Sequence, residues 1–191
     1  MHWFIKSNSL EDFPDILQRI AQGDSQLFKQ LYQQQRDLVY NLALNYSQNE
    51  TDAEEITQEV FIQVFRKAAQ FQGKSSVKTW IYRITVNTSL NFLKKKKRRS
   101  WLWSEKIEET PKDFAHPGVL LERKEQSIFL FKGIDQLPDQ QNTAFLLCFI
   151  EELPRQEAAY VMGVSLKALE SLLQRAKKNL RKILETLRPN Q

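Results

Sequence analysis

Apolar residues recur every three or four positions along most of this chain, and little interrupts them. That spacing is the period of one helix face, and runs alternating in the manner of a half-buried strand are hard to find. Breakers are sparse: five glycines and six prolines in 191 residues. The pattern predicts an all-α protein. Apolar residues make up 41% and aromatics 11% of the chain, enough for ordinary cores, so wholesale disorder is excluded.

The helix signals fall in order. A short helix is predicted over Asp12 to Gln22, ending at Gly23. Asp24 caps a second, in which Leu27, Phe28, Leu31, Leu38, Leu42 and Tyr46 keep helical spacing, with a bend expected at Gln33–Gln35. Thr51 followed by Glu54 reads as a capping box. The helix it opens should run to about Gln70, with Ile56, Val60 and Val64 turned inward, helped by Phe61 and Phe65. Phe71 to Ser76 reads as a loop, and Ser76 caps a helix from Val77 to about Lys97.

The stretch 100–126 reads as a flexible linker with patches of helix. It holds Pro111, Pro117 and Gly118 and the acidic residues Glu105, Glu108, Glu109 and Asp113; its Trp101 and Trp103 are expected to dock. Beyond it, Leu137-Pro138-Asp139 ends one helix and caps the next, Pro154 opens a short helix ending at Met162, and Gly163-Val164-Ser165 makes a tight turn. Ser165 caps a last helix from Leu166 to about Leu187, with Leu169, Leu173, Ala176, Leu180 and Leu184 as its buried stripe. The expected organisation is two small helical domains, 10–99 and 127–188, joined by the linker, the second containing a helix-turn-helix.

Several classes drop out. Cys148 is the only cysteine and sits in an apolar run, so it reads as a small buried hydrophobe and no internal disulfide exists. The two histidines, His2 and His116, form no metal-binding spacing with it. No Gly-rich phosphate loop or nucleophile elbow occurs. No catalytic residues, cofactor or metal are therefore expected. No apolar run nears the ~20 residues that span a bilayer, and Met1 to Lys6 lacks the pattern of a secretory signal. A cytoplasmic protein without membrane insertion is expected. The formal net charge of +5 weakly favours a polyanionic partner.

Three surfaces carry chemistry. On the helix from Val77, Trp80, Arg83, Asn87, Asn91 and Lys94 fall within roughly 80° of arc. Aromatic rings stack bases, amides read base edges and cations hold phosphates, so this stripe suits single-stranded nucleic acid. The basic run Lys94 to Arg99 extends it. The bland alternative puts Trp80 in a core and solvates the rest. On the last helix Lys167, Ser171, Gln174 and Lys178 share a face that could enter a major groove; an ordinary amphipathic bundle helix would look similar. On the helix after Thr51, Glu55, Gln58, Glu59 and Ile62 face outward, where phosphate is repelled and a basic protein surface is the better partner.

Taken together, these segments resemble the extracytoplasmic-function class of bacterial sigma-70 family sigma factors, over residues from about 10 to 187. Asp52-Ala53-Glu54-Glu55-Ile56-Thr57-Gln58-Glu59-Val60-Phe61 looks like the core-polymerase-binding segment of sigma domain 2. Phe71 to Ser76, followed by Thr79-Trp80-Ile81-Tyr82-Arg83-Ile84-Thr85-Val86-Asn87, looks like its promoter-melting segment. Leu137-Pro138 through Leu180 looks like sigma domain 4. The resemblance implies a factor that binds core RNA polymerase and directs promoter recognition and melting. Asp52, Glu55, Gln58, Glu59 and Ile62 would contact polymerase. Gln72, Gly73, Lys74, Ser75 and Ser76, with Trp80, Arg83, Asn87, Asn91 and Lys94, would hold the −10 element. Ser165, Lys167, Glu170, Ser171, Gln174, Arg175 and Lys178 would read the −35 duplex. It implies an acidic linker threading towards the polymerase active centre and an anti-sigma factor as a further partner. This chain departs from the common pattern at Lys74, where an acidic residue is frequent, and at Glu170 and Leu172, where basic residues are.

Two other classes compete. An autonomous DNA-binding regulator would account for residues 137–187 but leave the acidic helix and the Trp80 stripe without a role; a gel shift with and without core polymerase separates it. An all-α enzyme would need a polar catalytic cluster.

Overall fold

Good caps and uninterrupted helix formers produce the architecture directly. The computed structural model describes residues 15–103 and 124–187, and no strand occurs among them. The first half contains α1 (Ile16–Ala21), α2 (Ser25–Ser47), α3 (Glu50–Lys67) with a 3-10 turn at Ala68–Gln70, and α4 (Val77–Trp103). The second contains α5 (Lys124–Asp135), α6 (Asp139–Phe145) with a π-helical turn at Leu146–Ile150, α7 (Arg155–Met162) and α8 (Leu166–Leu187). The predicted start of α1 at Asp12, the residues from Glu105 to Asp113, His2 and His116 lie outside the described residues.

Caps fall largely where the sequence puts them. Asp24 accepts from the Leu27 amide at 2.9 Å, Ser76 from Thr79 at 3.0 Å and Ser165 from Ala168 at 3.2 Å. Pro154 precedes α7. Gly163 closes α7 at φ +67, in the left-handed region that glycine enters without strain.

Five expectations are corrected. The cap of α3 is Asn49, not Thr51: Asn49 is extended and its side chain accepts from the Asp52 amide at 2.9 Å. Gln48 ends α2 in the left-handed conformation, so α3 starts two residues sooner and Thr51 lies inside its first turn. No bend occurs at Gln33–Gln35; α2 is continuous, and Gln35 is buried against its neighbours. Phe65 does not face inward; it is exposed and meets Phe28 edge-on at 5.3 Å. α4 passes Lys97 and ends at Trp103, since nothing between them breaks a helix. Cys148 packs against the core but is only half-buried.

In the first half, Ile16, Leu17 and Ile20 of α1 pack with Leu31, Val39, Ile56, Val60, Val64, Ile81 and Ile84. The second core centres on the α8 stripe Leu169, Leu172, Leu173, Ala176 and Leu180, with Ile134, Leu146, Leu147 and Val161. α5 comes close to α8 at Gly133, where a Cβ would stand 2.8 Å from the Leu184 side chain. Leu42 and Tyr46 of α2 and Tyr82 and Val86 of α4 belong to this second core. The two halves are thus joined along a seam with an apolar centre.

Candidate nucleic-acid interface

α3 and α4 lie side by side and set two chemistries against each other. Glu55, Gln58, Glu59 and Ile62 are exposed on α3, as the sequence predicts. They line one wall of an 860 Å³ groove whose other wall carries Asn91, Lys94, Lys95, Arg98 and Arg99 of α4. Asp52 stands apart from them, because Lys96 of α4 forms an ion pair with its carboxylate. Beside the acidic face lies an apolar one: Ile62 and Phe65 are exposed, and Tyr32 meets Phe61 edge-on at 4.6 Å. Carboxylates beside exposed aromatics fit a protein partner.

The Trp80 stripe is real as a surface. Arg83, Asn87, Asn91 and Lys94 are all exposed, while Trp80 is half-buried against Phe71, with ring centroids 5.5 Å apart. The blander alternative is therefore half right about Trp80. The structure brings Gln72, Lys74, Trp80 and Arg83 together around a 150 Å³ notch that also takes in Gln70 and Phe71. The notch is too small for a typical organic ligand, and of a size for a single planar group. Gly73 and Ser75 belong to the same loop but do not line it; Gly73 turns the chain at φ +66 and Ser75 donates to the Ser76 carbonyl at 3.2 Å. Asn91 and Lys94 belong to the groove instead, and Asn87 lines neither.

α7, the Gly163 turn and α8 form a helix-turn-helix. Lys167, Glu170, Ser171, Gln174, Arg175 and Lys178 are exposed together on α8, and Ser165 is exposed at its start. Leu172 is buried, as its angle beside Leu169 and Leu173 requires. Glu170 lies 3.6 Å from the Arg155 guanidinium, a loose exposed pair that partly neutralises it.

Sequence reasoning missed the residues that join the two halves. Tyr160 of α7 forms a wall of the notch and lies under Arg83, whose guanidinium carbon is 5.5 Å from the ring centre. Glu157 accepts a 2.6 Å hydrogen bond from the Thr79 hydroxyl. Glu151 accepts from Asn45 at 2.9 Å and from the Tyr82 hydroxyl at 3.1 Å. Burial pushes the Glu151 carboxyl above its ordinary value against the pull of those donors and of Lys78, and burial likewise pushes Tyr82 up. No periodicity announces these contacts. Glu151 follows the π turn and precedes Glu152, at φ +53, and neither feature leaves a mark in the sequence.

The family model for Sigma-70 region 2 matches residues 31–99, and that for Sigma-70 region 4 matches residues 130–180. The chain belongs to the sigma-70 family. Within this family it falls in the extracytoplasmic-function class. It is 29% identical over 185 residues to the RNA polymerase sigma-H factor of Pseudomonas aeruginosa, covering 93% of this chain and 96% of that one. It is 30% identical over 125 residues to the ECF RNA polymerase sigma-E factor of Escherichia coli, covering 61% of this chain and 65% of that one. Its fold resembles CnrH, solved in complex with the cytosolic domain of CnrY (TM-score 0.65, 19% identity, 92% of this chain and 98% of that one). It also resembles the sigma factor RpoE of Bartonella quintana, solved with the anti-sigma factor NepR (TM-score 0.60, 20% identity, 84% and 98%). In this sigma-70 family chain, region 2 contains the groove and every wall of the notch but Tyr160, and region 4 contains the helix-turn-helix and supplies Tyr160.

Proposed function

We propose that this chain binds core RNA polymerase and directs it to promoters by the division of labour its surfaces suggest. Glu55, Gln58, Glu59 and Ile62, with the apolar patch beside them, meet a basic surface of the polymerase. The Gln72–Ser76 loop and the notch receive an unstacked base of the −10 element. Arg83, Asn87, Asn91 and Lys94 hold the strand that follows. α8 reads the −35 duplex with Lys167, Ser171, Gln174, Arg175 and Lys178, and the amides after Ser165 face a phosphate. Such a factor works where core polymerase is, in the cytoplasm; no helix among the described residues is long and apolar enough to cross a membrane. An anti-sigma factor is the natural regulator, as for the fold relative solved with NepR.

The observation that carries the reading is the exposed stripe from Arg83 to Lys94 running out of a base-sized notch. Unstacking a base costs a few kcal/mol and needs groups placed to receive it. The test is transcription in vitro with core polymerase on a promoter library, followed by permanganate footprinting. Arg83→Ala and Asn87→Ala should lower thymine reactivity in the opened region while leaving polymerase binding intact. Normal reactivity in both variants on several promoters would refute the assignment.

A further inference from the structure

The polar groups around the notch are uneven in kind. Lys74, Trp80 and Arg83 can only donate: an ammonium, an indole N–H and a guanidinium carry no acceptor. Gln70 and Gln72 can donate or accept, and among the described residues no carboxylate lines the notch. Lys74 and both glutamines are exposed, and their side chains make no hydrogen bond or ion pair among the described residues. Arg83 meets the Tyr160 ring, and Trp80 packs edge-on against Phe71. Bases differ most in one outer group. Guanine and thymine carry an oxo group at C6 or C4, which accepts; adenine and cytosine carry an amino group there, which donates. An amino group aimed at Lys74 and Arg83 meets donors and positive charge, and only a glutamine carbonyl can take it. An oxo group finds a donor whichever of them it faces.

We propose that the notch selects an oxo base, guanine or thymine, over adenine or cytosine, and that Lys74 is the residue that decides it. The proposal rests on reading the notch as the receiver of the −10 base, and it names the class of base received. Trp80 and Arg83 are held by the rings they pack on, whereas Lys74 stands exposed on the loop, its charge unpaired. Neither glutamine enforces a choice. A side-chain amide turned over presents its NH₂ to an oxo group as readily as its carbonyl to an amino group.

The experiment uses the full chain with core polymerase and fluorescein-labelled single strands, read by anisotropy. The strands carry the non-template −10 sequence of an active promoter from the library. An abasic site placed at each position in turn marks where a base is captured. At that position deoxyuridine is compared with deoxycytidine, and deoxyinosine with deoxyadenosine; each pair exchanges oxo for amino on one ring skeleton. The oxo member should bind about tenfold more tightly in both pairs. Lys74→Ala should shrink the ratio, and Lys74→Glu, which puts acceptors in place of donors, should invert it. Taking the ratio within each variant removes the change in general attraction to phosphate that comes with the altered charge. Equal binding within both pairs, tighter binding of the amino members, or a ratio that Lys74→Glu leaves unmoved overturns the proposal. An abasic site that weakens binding at no position shows that the notch captures no base, and then the −10 reading has failed with it.

Discussion

Glu151 is the residue whose chemistry most depends on its surroundings. While the seam is shut its carboxyl is raised above the ordinary 4.5, burial outweighing the Tyr82 and Asn45 donors and the charge of Lys78. The closed form therefore binds a proton more readily than the open one. Its stability is greatest below the ordinary value and declines as pH rises through the raised one. Glu151→Gln should flatten this dependence. The amide keeps an acceptor for Tyr82 and, with Asn45 turned over, donates to its Oδ1 in place of the bond the carboxylate accepts from Nδ2. The expected result is slower hydrogen exchange at α4 near neutral pH and little change with pH; a pH profile matching the wild type would show that another group controls the seam. At Gly163 the backbone decides. An alanine at φ +67 pays the left-handed penalty of about 1–2 kcal/mol, so Gly163→Ala should lower the melting temperature of the full chain by several degrees.

Among the elements, α8 and α3 invite opposite charge changes. Glu170 is a negative charge on an otherwise cationic reading face, loosely paired with Arg155. Glu170→Lys should cost under about 1 kcal/mol of stability, as exposed pairs contribute little. It should raise DNA affinity and steepen its salt dependence by about one counterion, measured on −35 duplexes at several salt concentrations. An unchanged salt slope would place Glu170 away from DNA. On α3, Glu55→Lys with Glu59→Lys should weaken binding to core polymerase without unfolding region 2. Unchanged affinity in a folded double variant would move the polymerase contact elsewhere. These elements were legible because their signals are local. Asp24, Ser76 and Ser165 each sit just before an amphipathic run, and Leu172 lies about 60° of arc from Leu169, at the edge of the buried stripe. The start of α3 was not, because Asn49 and Thr51 are both good caps and the choice depends on how α2 ends, at Gln48. Phe65 misled because a phenylalanine near a buried stripe looks apolar and inward, whereas its partner Phe28 shares the surface with it.

At the scale of the whole molecule, the arrangement of the two regions was invisible in the sequence. Tyr46 and Tyr82 read as members of region 2 by position, yet pack with Ile134 and Leu147 of region 4. Nothing in a helical period tells a residue buried within its own bundle from one buried by a neighbour. Glu151, Glu157 and Tyr160 likewise look like ordinary surface residues of a helical domain until the fold brings Asn45, Thr79 and Arg83 to them.

The apolar centre of that seam also bears on how long the protein lasts. When the regions part without a partner, Leu42, Tyr46, Tyr82 and Val86 meet water together with the faces that covered them. An open chain with no polymerase to occupy it presents the greasy, loosened surface that proteases and aggregation act on. The contact that joins the regions therefore also bears on survival: the faces it covers are protected while it is shut. Where reclosing outpaces cleavage, a surplus of the factor over polymerase would be lost in proportion to the time the seam stands open.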